Sequence, residues 1–196
     1  MVEISGKYKI GTRRFGSINW IGAWTLYKKE VLRFLIVWIQ TLFSPLITSL
    51  LFLSVLSLAI GNDRGDVLGV PFIVFLAPGL IAMQIIQQAF SHSSSSFMIG
   101  KIQGNIVDLV CAPLSAGEVT LAVTLASVTR SVLIAVISLL VFYLFIDLEI
   151  KNFITLVAFT LLSAFSLGAL GIIAGLWAEK FDHMATVTNF VIIPLS

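Results

Sequence analysis

Runs of residues without a formal charge decide what this chain can become. Phe34 to Asn62 holds 29 uncharged residues, Val67 to Gly100 holds 34, and Asn152 to Ala178 holds 27. A fourth run, Ala116 to Ile146, has Glu118 in its first turn and one charge further in, Arg130. A helix needs roughly 20 apolar residues to cross about 30 Å of hydrocarbon, so each run is long enough to span a membrane. With 58% hydrophobic and 11% charged residues and a mean hydropathy of +1.05, the chain departs far from the soluble norm of about 25% charged. The expected class is an all-α, polytopic integral membrane protein with spans at about 34–60, 70–97, 116–146 and 152–178. A fifth apolar segment, 184–196, is still running at the last residue; its 13 residues are too few to cross, and the remainder is expected beyond Ser196. Pro45, Pro71 and Pro78 predict kinks, because proline removes an N–H from the helix ladder.

The charges that remain are unevenly placed. Residues 1–33 carry Lys7, Lys9, Arg13, Arg14, Lys28, Lys29 and Arg33 against Glu3 and Glu30, with no apolar stretch of the kind that starts a cleavable leader. Within about 17–33, Trp20, Trp24, Tyr27 and Val31 recur at helical spacing beside Lys28, Lys29 and Arg33, which predicts a helix lying in the headgroup layer. A loop with stray aromatics is the plainer alternative. Lys101 and Lys180 fall on the same side as the N-terminus, while Arg64 and Lys151 fall on the other, so the excess of cations predicts a cytoplasmic N-terminus. The net charge of +2 is too small to imply nucleic acid.

Between the second and third spans, residues 100–118 read GKIQGNIVDLVCAPLSAGE. Asn105 is positioned to cap a short helix with Asp108 in its first turn, and Pro113 ends that helix by disfavouring α geometry at Ala112. Ile106, Leu109 and Val110 then share one side, an apolar face with little to bury it against. Ser115 and Glu118 form a capping box that starts the next helix, so Pro113 is a hinge between a cytosolic peg and a spanning helix. Cys111, the single cysteine, lies on this peg.

Polar residues inside the spans form three patterns. Ala164, Gly168, Gly171, Gly175 and Ala178 make a small-residue stripe suited to close helix packing. Thr120, Thr124, Ser127, Ser131 and Ser138 line one side of the third span, with Arg130 at its edge; such hydroxyls can equally bond back to their own helix. Arg130 fits a polar lumen, a subunit interface or a snorkelling position. Gln84, Gln88, Ser91 and Ser95 lie on one stripe of the second span, with Gln87 and His92 beside it; amides there suit either a water-filled route or bonding between helices. Catalytic chemistry is scarce, with no HExxH, no facing carboxylate pair and no metal-ligand cluster. Gly100-Lys101 ends like a phosphate loop, but Ser95 stands at its first glycine and Ile102 at its Mg²⁺-binding hydroxyl.

Three segments, LAPGLIAMQIIQQAF at 76–90, GKIQGNIVDLVCAPLSAGEV at 100–119 and GLWAEKFDHMATVTNFVIIPL at 175–195, resemble the permease subunits of type-2 ABC transporters. The resemblance runs from about Trp24 to the last residue. It implies a six-helix fold, here cut off within helix five, preceded by an amphipathic helix. It also implies a bacterial inner-membrane exporter of polysaccharide, lipid-linked glycan or drug-like compounds. ATP and Mg²⁺ would be bound by a separate ABC ATP-binding subunit and not by this chain, and a second permease copy would complete the path. Carried onto this sequence, the coupling helix is Asn105 to Ala112, with Asn105, Ile106, Asp108, Leu109, Pro113 and Glu118 as coupling residues. An intramembrane enzyme, resting on Arg130, Gln84 and His92, and a passive channel subunit are the competing readings.

Overall fold

The computed structural model describes residues 18–60, 67, 69–146 and 152–196, and every regular element longer than a bridge among them is helical. Helix α1, Trp20–Ile36, begins at Asn19, whose side-chain oxygen accepts the Gly22 N–H at 2.9 Å. Its buried residues are Leu26, Glu30 and Phe34, spaced four apart on one face. The first span therefore does not start at Phe34 as the charge-free run suggests. Phe34 is turned inward with its ring edge against His92, centroids 5.7 Å apart, so it docks α1 onto the bundle. The first candidate span is Ile39–Ala59.

That span opens with a π-helical turn, Ile39–Phe43, followed by α2, Ser44–Ile60. Pro45 has no N–H to offer the Thr41 carbonyl four residues back, and the turn before it widens in place of an ordinary α turn. The same arrangement recurs at the end of the chain: α7, Phe181–Val187, passes through a π-helical turn, Thr188–Ile192, into α8, Ile193–Leu195, around Pro194. Pro78, by contrast, sits inside α3, Phe72–Ile102, a single helix of 31 residues.

Helix α3 runs past the expected end near residue 97 because nothing breaks it until Gly104. There φ is +76°, the left-handed geometry that closes a helix, and Gln103 and Gly104 return their N–H groups to Ile99 and Lys101. The short helix α4, Ile106–Cys111, follows, then α5, Ala116–Phe145, and α6, Phe153–Trp177. The Ser115/Glu118 capping box opens α5, and Asn152 caps α6 by accepting the Thr155 N–H at 3.2 Å. Residues 39–59, α3, α5 and α6 are each long and apolar enough to cross a membrane. The polar turns expected at 62–66 and 147–151, and the basic residues before Ser17, lie outside the described residues.

Helix α3 is the centre of the assembly, flanked by α5 and α6 along its length. Ala77, Leu80, Ile81, Ile85 and Ala89 of α3 share a core with Leu53, Ala135, Phe142 and Ala164. Further along, Phe90 and Met98 meet Ala178, Met184 and Ile192, which folds α7 back against α3. In lipid there is no hydrophobic gain from joining two apolar helices, so van der Waals fit must hold them. The small-residue stripe of α6 supplies that fit. A Cβ at Gly171 would lie 2.6 Å from the Phe90 carbonyl oxygen, and one at Gly175 would lie 2.7 Å from that of Ser94. At Gly168 it would collide with the Ser127 hydroxyl of α5. Lys101 adds a polar clasp, donating from Nζ to the Leu176 carbonyl and to that of Ala178 at 2.9 Å, where α6 ends.

Gly171→Ala and Gly175→Ala are therefore expected to force α3 and α6 apart and to cost about 1–3 kcal/mol each. Gly117→Ala, whose added carbon would meet nothing within 4 Å, should leave stability unchanged or slightly raised. Melting temperatures of the purified variants in detergent check the contrast.

Candidate functional site

The residues singled out in the sequence fall at two levels of the fold. At the first level is the α4 segment. Asn105 does not cap α4: it is itself in α geometry (φ −74°, ψ −5°), and its amide nitrogen donates to Gln103 Oε1 at 3.2 Å. The positive φ at Gly104 delivers the chain to Asn105 already turning, so no extended residue precedes α4 to swing a side chain over its first N–H groups. The end of α4 behaves differently, with Ala112 extended at ψ 144° before Pro113.

Nor do Ile106, Leu109 and Val110 share an unburied face. Ile106 and Leu109 pack on Leu26, Phe97, Ala122, Val123 and Ile172, which seats α4 on the junction of α1, α3, α5 and α6. Val107, 60% exposed, and Val110, 78% exposed, point outward together with Asp108 and Cys111. A six-residue helix turns through less than two full turns, and the junction beneath it selects which apolar residues are covered.

Glu118 has a second task that its place in a capping box does not reveal. One carboxylate oxygen accepts the Ser115 N–H at 2.6 Å, and the other accepts the Asn19 N–H at 2.5 Å, 99 residues away in sequence. Asn19 also donates from Nδ2 to the Pro113 carbonyl at 3.2 Å, and Gly22 fits against Leu114, which a Cβ would strike at 2.7 Å. The start of α1, the Pro113 hinge and the start of α5 are thus joined through one buried carboxylate.

The second level lies further into the bundle. Glu30, buried, accepts from Arg33 at 3.0 Å and from the Ser96 hydroxyl at 2.8 Å, and Arg33 reaches the His92 carbonyl at 3.3 Å. Arg33 is therefore turned toward the protein and not among the water-facing cations of α1; burial lowers its pKa, and the nearby Glu30 carboxylate acts in the opposite direction. Sequence reasoning passed over Glu30, Ser96 and Asn19. The available signal was the spacing of Leu26, Glu30 and Phe34, which puts a carboxylate in the middle of an apolar face.

Beyond His92 lies Arg130. Its guanidinium donates to Gln88 Oε1 at 2.6 Å and approaches His92 Nδ1 at 3.5 Å. Gln88 is 14 residues before the end of α3, and Arg130 is 14 residues after the start of α5, so they meet at one depth, about 20 Å along each helix. The side chain runs sideways to a partner helix and does not snorkel toward the end of its own. Gln84 is held by three partners on two helices: it donates to the Pro45 carbonyl at 3.2 Å and to the Ser49 hydroxyl of α2, and accepts from Ser138 of α5 at 2.7 Å. Of the hydroxyl stripe on α5, Thr124, Ser127, Ser131 and Ser138 are buried, whereas Thr120 is exposed and bonds back to the Ala116 carbonyl. Gly168, Gly171 and Gly175 lie on the α3 and α5 sides of α6, where they set helix spacing. Among the described residues no three side chains of metal-ligating type are grouped.

The family of ABC-2 type transporters matches residues 22–196. Among curated proteins, the inner membrane transport permease YadH of Escherichia coli (strain K12) is 29% identical over 179 residues, covering 91% of this chain and 70% of that protein. The protein of the same name from Shigella flexneri gives the same identity and coverage. No solved structure matches. A family match extending from α1 to the last residue, on a bundle with four helices able to cross a membrane among the described residues, leaves one assignment: this chain belongs to the ABC-2 type transporter family.

Proposed function

We propose that the chain is the permease of an ATP-driven exporter, placed in the bacterial inner membrane with its N-terminus in the cytoplasm. Its full bundle would have six spanning helices, with α1 lying in the headgroup layer against anionic lipid. ATP and Mg²⁺ would be handled by a separate ATP-binding subunit docked on α4, and two permease copies would enclose the path for a polysaccharide, lipid-linked glycan or drug-like compound. Asn105, Ile106, Asp108, Leu109, Pro113 and Glu118 form the coupling region in this reading. The observation that carries it is the division of α4 into two faces: Ile106 and Leu109 sit on the bundle, while Val107, Asp108 and Val110 are offered outward. An apolar pair beside a carboxylate suits a groove in a partner protein.

The two faces and the Glu118 tie separate docking from transmission. Val110→Asp or Asp108→Arg changes the outward face without touching the packed one, and is expected to weaken co-purification with the ATP-binding subunit by about tenfold or more, equivalent to about 1.4 kcal/mol. Unchanged association and transport in both variants would remove α4 from the docking role. Glu118→Ala leaves the outward face intact but removes the acceptor for the Asn19 and Ser115 N–H groups, a loss of about 1–3 kcal/mol in local stability. That variant is expected to retain the partner and its ATPase activity while transport falls.

Cys111, exposed and unpaired, reports orientation directly. A membrane-impermeant maleimide should label it in inside-out vesicles and leave it unlabelled in intact cells; the reverse pattern refutes a cytoplasmic α4.

A further inference from the structure

A guanidinium that enters an apolar bundle must be balanced, and the described residues leave one unbalanced. The charged groups that meet around His92 in the seam of α1, α3 and α5 are Glu30, which is buried, and Arg33 and Arg130, which are partly buried. Glu30 is committed to Arg33 at 3.0 Å and lies 3.8 Å from His92 Nε2, on the side of the imidazole away from Arg130. Among the described residues no carboxylate pairs with Arg130, and its Nε is buried with no hydrogen-bond partner. A buried cation without a counter-charge is a strongly unfavourable arrangement, and intramembrane charges that persist are characteristically those that meet a ligand or ion.

Arg130 is also one side chain away from open space. A cleft of about 250 Å³ lies between α2 and α3, lined by Ser44, Thr48, Ser49, Gln84, Gln87 and Gln88 on its polar side and by Phe52, Leu80 and Met83 on its apolar side. The amide of Gln88 forms the wall between this cleft and Arg130. A guanidinium only donates, so the Gln88 oxygen must face it, and the Nε2 group, which makes no hydrogen bond among the described residues, lies on the other side of the amide. Gln84 is oriented by the same logic, its nitrogen held to the Pro45 carbonyl. The wall at Gln88 therefore presents donors alone, polarised by a cation behind them.

We propose that this cleft is an anion subsite: Gln88, backed by Arg130, receives the phosphate group of an amphiphile whose apolar part lies along Phe52, Leu80 and Met83. The assignment rests on the permease reading above and narrows its cargo to anionic amphiphiles. A phosphate supplies the counter-charge that Arg130 lacks, accepts from Gln88 Nε2, and can engage the guanidinium in forked geometry when the Gln88 side chain swings aside. A neutral glycan offers no such balance.

The test uses the full-length permease in detergent, with and without its ATP-binding subunit, and two fluorescent probes, a labelled decyl phosphate and a labelled decyl maltoside. Wild type is expected to bind the phosphate probe about tenfold or more tightly than Arg130→Met does, the loss that follows from removing a charge-assisted hydrogen bond, while both bind the maltoside probe alike. Gln88→Glu guards against misfolding of the arginine variant. It places a carboxylate beside Arg130 and should raise the melting temperature while excluding the phosphate probe. Equal binding of the two probes by wild type, or phosphate binding unchanged in Gln88→Glu, overturns the proposal. Native mass spectrometry and export from loaded vesicles distinguish two sources of the same chemistry. Phospholipid retained by wild type and lost in Gln88→Glu identifies a bilayer lipid in the site, and ATP-dependent release of the phosphate probe identifies cargo. Because binding is measured without the partner, failure to recruit an ATP-binding subunit would refute the permease reading while leaving the anion result standing.

Discussion

The backbone of α6 resting directly on the backbone of α3 is the contact from which the rest of this bundle is built. Where hydrocarbon surrounds the protein, apolar side chains have no reason to prefer each other over lipid, and attraction grows only with closeness. Gly171 and Gly175 permit that closeness by presenting no side chain to the carbonyls of Phe90 and Ser94. Gly168 does the same for α5. With α3, α5 and α6 drawn together, the polar groups between them are removed from lipid, and Gln84 pairs with Ser138, Gln88 with Arg130, and Ser131 with the Ile85 carbonyl.

Helix α1 adds polar fastening to the apolar docking of Leu26 and Phe34. Its attachment is polar at both ends, through Asn19 to Glu118 and Pro113, and through Glu30 and Arg33 to Ser96 and the His92 carbonyl. Tyr27 adds a hydroxyl contact to Thr129 at 2.9 Å between them. Hydrogen bonds of this kind are directional and worth little once stretched, whereas the glycine-lined packing of α3 on α6 tolerates no separation. The chain therefore combines a tightly packed bundle with a helix fastened at points. One of those points is the hinge beside α4, and another lies beside the cluster that reaches Arg130 and the cleft. Hydrogen bonds along α1 thus link the segment beside α4 to the His92 cluster in the middle of the bundle.

Much of this was legible beforehand, for reasons that are local. Span existence follows from length and charge alone, and the Ser115/Glu118 box, the stop at Pro113 and the small-residue stripe of α6 each depend on residues within a few positions of one another. The errors share a cause as well. The cap predicted at Asn105 failed because Gly104 altered the backbone entering it, and the apolar face of α4 was misassigned because Ile106 and Leu109 are chosen by a junction drawn from four other helices. The charge-free run at Phe34 marked composition correctly but not the helix boundary, since Phe34 is spent on docking against His92.

What the residues determined by themselves is the class of the molecule: a helical membrane chain with spans too apolar for water and a proline-ended peg between the second and third. Tertiary structure alone decided which polar side chains meet. Glu118 reaches Asn19 across 99 residues, and Arg130 finds Gln88 across 42, pairings that no sequence period encodes. Backbone preference and hydropathy act over a few residues, but the partner of a buried charge is set by which helices the close glycine contacts allow to lie side by side.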